Sequence, residues 1–181
     1  MTTKERKHLS KFLSLILRHR PQVIGLTLDE QGWAVTKTLL EKVNGSGKKL
    51  TLATLEEVVS TNDKKRFAFN EDKTKIRANQ GHSIKIKLGY KPVTPPTYLY
   101  HGTATRFMNA IRKEGLKKQN RHHVHLSKDV ETAKKVGSRH GVPVILTIQA
   151  AAMHQAGYAF FVSDNGVWLT DHIPIAFIAI P

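Results

Sequence analysis

Arg121-His122-His123-Val124-His125 places one guanidinium and three imidazoles within five residues, and Leu126 and Ser127 close the run. Val124 and Leu126 alternate with His123 and His125. That period of two predicts a strand with both histidines and Arg121 on one face. Ser127, ahead of Asp129 and a helical pattern, is a candidate helix N-cap. Three chemistries fit such a cluster. A zinc site would need further Cys, His or carboxylate ligands, and the chain has no cysteine. A solvated basic loop asks nothing more of the sequence. An anion or nucleotide site would use the guanidinium fork on phosphate oxygens, and other parts of the chain carry residues suited to that use.

Arg18-His19-Arg20 follows an apolar repeat (Leu9, Phe12, Leu13, Ile16, Leu17) that predicts an amphipathic helix over residues 8–19, ended by Pro21. Cations at a helix C-terminus suit its dipole, so these three have a structural reading beside any functional one. Arg66 opens Arg66-Phe-Ala-Phe69, which with Lys75-Ile-Arg-Ala78 flanks Asn70–Thr74 in a hairpin pattern. Its alternative is a solvated cationic hairpin, given Lys64 and Lys65, and Arg77 across the hairpin competes for the same role. His101-Gly102-Thr103 ends the strand pattern Tyr98–His101, with Gly102-Thr103 expected to turn out of it. A glycine there would let a flat ligand approach the backbone, whereas the histidine alone could be an ordinary surface residue.

The elements that position these residues fall into two groups. Gly25–Gly32 reads as a short strand and turn, with Trp33 as a core anchor. Thr38–Glu41 and Thr54–Glu57 have capping-box spacing and predict two further helices. Three helices and then a hairpin is a winged-helix layout. Lys91-Pro-Val-Thr-Pro-Pro96 is stiff and helix-breaking and is the expected boundary between residues 1–92 and 93–181. Beyond it come a helix marked by Phe107, Met108 and Ile111 that ends at Gly115, a second helix reaching about Val136, and strands at 142–148, 159–163, 167–169 and 175–180. The fold class is α+β, with a β-rich second half.

The net charge is +15 over 181 residues, with a pI near 10.1. A surplus of that size points to a polyanionic partner, most simply nucleic acid. Residues 106–140 carry every Lys and Arg of the second half and residues 141–181 carry none, so the basic surface spans both halves but stops before the C-terminal strands. No apolar run is long enough to span a membrane, and no long basic amphipathic helix suggests an anionic membrane surface. The absence of cysteine and of an apolar N-terminal segment fits a reducing, cytoplasmic setting.

Taken in order, several segments resemble the RNA 2′-phosphotransferases of the Tpt1/KptA family. They are Leu9-Ser-Lys-Phe-Leu-Ser14 with Leu17-Arg-His19, Asp63-Lys-Lys-Arg-Phe67, Ile76-Arg-Ala-Asn-Gln-Gly-His-Ser83, Leu99-Tyr-His-Gly-Thr103, His123-Val-His-Leu-Ser127 and Gly166-Val-Trp-Leu-Thr170. The resemblance implies an N-terminal winged-helix lobe and a C-terminal ADP-ribosyltransferase-like lobe, with an active site in the cleft between them. It implies NAD as a consumed co-substrate and no metal, a 2′-phosphorylated, tRNA-like RNA as partner, no membrane, and a monomer. The products would be 2′-OH RNA, ADP-ribose 1″,2″-cyclic phosphate and nicotinamide. By motif match the catalytic set falls on Arg18, His19, Arg66 and Arg121. The NAD-binding motifs fall on His101, Gly102 and Thr103, and on His125 and Ser127. Arg139 and His140, in Gly137-Ser-Arg-His-Gly141, could contact the adenosine side or be a plain basic turn. Val167 stands where many ADP-ribosyltransferases have a glutamate, which argues against modification of protein side chains. Two other readings compete: a transferase that caps terminal RNA or DNA phosphates with ADP-ribose, and a non-enzymatic winged-helix RNA-binding module.

Overall fold

The computed structural model describes residues 1–181, which divide into two compact units, Met1–Gly89 and Tyr90–Pro181. The first unit is built on α1 (Thr3–Arg18). The helix starts well before the apolar repeat because Thr2 and Glu5 form a reciprocal cap: the Glu5 N–H donates to Thr2 Oγ1 at 3.2 Å, and the Thr2 N–H donates to Glu5 Oε2 at 2.7 Å. Its apolar face, with Leu13, Ile16 and Leu17 fully buried, meets Leu39 and Val43 of α2 (Thr36–Gly45) and Leu55 and Val58 of α3 (Leu52–Ser60).

Neither expected capping box caps these helices. α2 begins where the short strand β1 (Ala34–Val35) ends, and Thr36 Oγ1 is held by donating to the Lys73 carbonyl at 2.8 Å. α3 is capped by Thr51, whose Oγ1 accepts from the Thr54 N–H at 3.2 Å. In both cases the Thr-x-x-Glu spacing lies inside the helix, where positions three apart simply share a face. The Gly25–Gly32 stretch is not a strand. Asp29 Oδ1 accepts from the Gln31 and Trp33 N–H groups and folds it into a turn. The hairpin forms as expected: β2 (Phe67–Phe69) pairs antiparallel with β3 (Lys75–Ala78), and β1 joins on the other side in the order β1-β3-β2. Trp33 is only half-buried. The Arg77 guanidinium lies over its ring at 4.5 Å, so it serves as a stacking face rather than as a core anchor.

The second unit centres on β4 (Leu99–Ala104), which pairs along its whole length with β7 (Pro143–Ile148). β4 therefore runs through Gly102 and Thr103, where the sequence suggested a turn. β11 (Ile178–Ala179) adds to the far side of β7, after a 3₁₀ turn at Ile175–Phe177 in place of a longer strand. A second sheet has the order β6-β9-β8, made of Val124–Leu126, Trp168–Thr170 and Phe161–Val162. The small pair β5 (Leu116–Lys117) and β10 (His172–Ile173) completes the strands. Helices α4 (Met108–Glu114), α5 (Val130–Gly137) and α6 (Ala150–Gln155) pack on them. The sequence reading expected only two helices here. α6 is short, and its alanines carry no amphipathic stripe to reveal it. α5 is capped by Asp129, whose Oδ1 accepts from the Thr132 N–H at 2.7 Å, and not by Ser127. Ser127 is engaged elsewhere: its N–H and C=O exchange bonds with Tyr100 at 2.8 and 2.9 Å, joining the end of β6 to β4.

The absent Cβ of Gly102 lets α5 lie against β4. A Cβ on Gly102 would overlap the Ala133 carbonyl oxygen, and one on Gly137 would stand 2.6 Å from the Thr103 carbonyl oxygen. Both obstacles are backbone, which cannot swing aside. Gly102→Ala is therefore expected to cost about 3 kcal/mol, the upper end for overpacking, while Gly45→Ala, with open space around it, stays within about 0.5 kcal/mol. Denaturant unfolding read through Trp168 of the second unit and Trp33 of the first checks both.

Candidate functional site

In the first unit, Arg18 is the last residue of α1 and His19 its C-cap, so both leave the helix where its carbonyl end favours cations. Arg66 lies just before β2. The chain brings the two arginines together through backbone: Arg18 Nη2 donates to the Arg66 carbonyl at 3.3 Å, and the Arg18 guanidinium sits 5.9 Å from the centre of the Phe67 ring. The Arg66 guanidinium donates through Nη1 to Asn62 Oδ1 at 3.2 Å. Asn62 in turn donates from Nδ2 to Ser10 Oγ of α1 at 3.2 Å. Asn79, buried at the end of β3, fixes the other side of the loop. Its Nδ2 donates to the Lys65 carbonyl at 2.6 Å, and its N–H donates to the Arg66 carbonyl at 2.9 Å. Lys65 is held at a φ of 40°, a left-handed conformation costing on the order of 1 kcal/mol for a residue with a Cβ. The Asn79 bond offsets that cost. His19 Nδ1 is 2.9 Å from Ser83 Oγ, and the Ser83 N–H donates to the Arg18 carbonyl at 2.9 Å.

This arrangement separates Arg66 from Arg77. Arg66 shares contacts with Arg18, whereas Arg77 is on the Trp33 ring. Asn62 carried no signal in the sequence reading. Asn79 and Ser83 lay in a quoted segment, but only the structure gives them these partners.

In the second unit, Arg121 is not the start of a strand. β6 begins at Val124, and the Arg121 N–H instead closes a turn onto the Lys118 carbonyl at 3.0 Å. The side chain still reaches the strand: Arg121 Nη1 is 2.9 Å from His125 Nδ1. A guanidinium only donates, so His125 Nδ1 is the acceptor of this bond. The His125 carbonyl lies 2.9 Å from His101 Nδ1. A carbonyl only accepts, so His101 carries its proton on Nδ1 and presents Nε2 as an acceptor. Burial pushes the His101 imidazole below its ordinary value of 6.5. The bond to the His125 carbonyl opposes that shift, and the positive charges of Arg121 and His140 add to it. A neutral His101 with an acceptor at Nε2 suits a hydroxyl donor such as a ribose OH.

His123 is separated from this pair. It packs its ring on Phe161 at 5.4 Å and near Tyr90 at 6.3 Å, and burial lowers its pKa also. Thr103 is buried within β4, and Gly102 turns its missing side chain to α5, so the glycine serves helix packing rather than the approach of a flat ligand. Arg139 is exposed after α5 and bonds only through its N–H to the Val136 carbonyl. Its neighbour His140 is the residue whose charge reaches His101. No group of three or more His, Asp or Glu side chains is gathered to hold a metal ion, and no helix is long and apolar enough to cross a membrane.

Residues 4–172 match the sequence model of the RNA 2′-phosphotransferase, Tpt1/KptA family. The chain belongs to that family. It is 59% identical over 172 residues to a "Probable RNA 2′-phosphotransferase" of Flavobacterium johnsoniae, covering 95% of this chain and 94% of that protein. Proteins with the same description from Fusobacterium nucleatum and Hahella chejuensis are 55% and 54% identical, covering 94% and 98% of this chain and 96% and 95% of theirs. In the first unit, a carbonyl accepts from Arg18 and an amide oxygen accepts from Arg66.

Two outcomes follow. Asn62→Ala removes the amide acceptor from the Arg66 guanidinium and is expected to lower kcat/KM for phosphate transfer about tenfold, in line with the loss of one hydrogen bond to a charged group. Asn62→Asp keeps the shape but sets a carboxylate beside Arg66 and lowers it further; steady-state assays of both variants decide this. For His101 the sign runs with protonation. The unfolded chain takes up a proton near 6.5 and the folded chain only below that, so folding stability is full above that value and falls as the pH drops through it. Denaturation at pH 7.5 and pH 5.5 should show this loss, reduced in His101→Gln.

Proposed function

We propose that the protein removes an internal 2′-phosphate from RNA, of the tRNA splice-junction type, with NAD+ as co-substrate. In the first step an oxygen of the RNA 2′-phosphate attacks C1″ of the nicotinamide ribose, and the bond to nicotinamide breaks. In the second, the ribose 2″-OH attacks the phosphorus and gives up its proton, and the bond from phosphorus to the RNA 2′ oxygen breaks, leaving a 2′-OH. The products are ADP-ribose 1″,2″-cyclic phosphate, nicotinamide and dephosphorylated RNA. The observation that carries this reading is the linkage Arg121 to His125 to His101. It supports the reading because His125 meets, through its ring, a guanidinium able to bind a phosphate and, through its carbonyl, a neutral imidazole suited to a ribose hydroxyl.

The first unit supports the reading with three helices followed by a hairpin, which we take as a winged-helix RNA-binding lobe. The second is taken as an ADP-ribosyltransferase-like lobe that binds NAD through His101, Thr103, His125 and Ser127. Gly102 contributes there through backbone alone. The attacking phosphate is already anionic, so the first step needs positioning more than a base. In the second step negative charge builds on the non-bridging oxygens, where Arg18, Arg66 and Arg121 would stabilise it. His19, oriented by Ser83, would contact the phosphate or take the 2″-OH proton.

The test is incubation with NAD+ and an internally 2′-phosphorylated oligonucleotide, reading nicotinamide release and loss of phosphate. Transfer of ADP-ribose to a terminal phosphate without loss of the 2′-phosphate would instead favour a capping activity. In single-turnover experiments Arg18→Ala, His19→Ala and Arg66→Ala are expected to slow the second step more than the first, so that ADP-ribosylated RNA accumulates on a gel. Arg→Lys should rescue poorly, since an ammonium makes no two-pronged contact. His101→Ala should instead weaken NAD+ use in the first step.

A further inference from the structure

Lys4, Lys7 and Lys11 follow one another along α1 at intervals of three and four residues, and Arg18 continues the same line seven residues on. On a helix these positions fall on one face, with His8 beside them. The opposite face carries Leu13, Ile16 and Leu17, all fully buried. The three lysines and His8 are exposed and form no ion pair. The acidic groups near them are committed elsewhere: Glu5 caps the helix, and Glu57 pairs with Arg6 at 3.7 Å on another side. The Asn62 bond to Ser10 sets the Lys65 loop along the same helix. The result is a ridge of three unpaired lysines, about 10 Å long at 1.5 Å per residue, with Arg18 two turns further along the same face.

We propose that the Lys4–Lys7–Lys11 ridge of α1 is a docking track for the RNA strand flanking the phosphorylated nucleotide. This rests on the function proposed above and says which surface holds the rest of the substrate. Lys4, Lys7 and Lys11, one cation at about every helical turn, fit the repeating charge of a nucleic-acid backbone and not its sequence. An anionic lipid surface fits less well. A helix that binds in a membrane interface needs its apolar face free, and α1 has buried its own in the core.

The test compares wild type with Lys4→Gln/Lys7→Gln/Lys11→Gln, and with the three-fold Lys→Arg variant as a charge-retaining control. Glutamine is a good helix former and all three sites are exposed, so circular dichroism and thermal unfolding should be unchanged. Binding of a long single-stranded RNA is measured against salt, and kcat/KM is measured for a long 2′-phosphorylated RNA and for a two-nucleotide substrate. With about 0.7 counterion released per neutralised phosphate, the Gln variant should lower the slope of log K against log salt by about 2. It should lower kcat/KM for the long RNA about tenfold or more at low salt. The two-nucleotide substrate, too short to reach the ridge, should be turned over as by wild type, and the Arg variant should behave as wild type throughout. An unchanged salt slope would overturn the proposal, as would equal losses on both substrates, or loss of binding to phosphatidylserine vesicles with RNA binding intact. Wild type failing on both phosphorylated substrates would instead refute the proposed reaction, while the salt slope would still judge the ridge.

Discussion

Carbonyl, amide and ring-nitrogen acceptors hold several arginines and a histidine of this protein in place, within each unit. Arg18 is held by the Arg66 carbonyl, Arg66 by the Asn62 amide, Arg121 by a ring nitrogen of His125, and His101 by the His125 carbonyl. A carboxylate in any of these places would give a stronger bond, but it would also offset the positive charge of the group it held. A carbonyl or amide fixes direction and brings no charge. The carbonyl end of α1 and the π-face of Phe67 also favour the positive charge of Arg18.

Because two of these partners are backbone carbonyls, the orientation of these side chains depends on where the chain itself is fixed. Arg18 and His19 take their direction from the end of α1, and Arg66 from a loop clamped at both ends. Asn62 accepts from its guanidinium and from its N–H, while Asn79 closes the other side. In the second unit the same dependence appears between strands. The Ser127–Tyr100 pairing fixes β6 against β4, and only then does the His125 carbonyl meet the His101 ring. Packing of α5 onto Gly102 determines how closely β4 can be covered from one side. The polar site and the apolar packing are therefore not independent parts of this unit.

Much of this was legible in the sequence, for reasons that can be named. The hairpin around Asn70–Thr74 was visible because alternation and turn residues are local. The core face of α1 was visible because five apolar residues recur at helical spacing. Helix starts were less so: Thr38 and Thr54 carry the cap spacing but lie inside their helices, because β1 pairing and Thr51 fix the starts first. Arg121 was read as part of a strand, although its place is a turn, and it returns to His125 through its side chain. Gly102 shows the limit most clearly. Its residue type signalled a close approach, but whether a ligand or a helix makes that approach depends on Gly137, thirty-five residues away. Asn62 had no local signal at all, since its value lies in reaching both Ser10 and Arg66.

The carboxylates complete the same logic. Glu5, Asp72 and Asp129 are each held below the ordinary carboxylate range chiefly by bonds to nearby N–H or hydroxyl groups, and Asp29, against its desolvation, by two backbone N–H bonds together with Lys75. Their main work is local, capping helices and closing turns, and it keeps them ionised. Others pair with surface lysines: Glu56 with Lys73, Glu114 with Lys117, and Asp171 with Lys118. With 14 acids to 29 bases, this division leaves the α1 lysines unpaired. The surplus charge is thus concentrated by the way the acids are used, as well as by the number of lysines and arginines. Short-range caps and a packed core hold each unit together, and neither depends on long-range charge balance. A fold stabilised in that way can leave one face strongly positive for a polyanion without weakening its own structure.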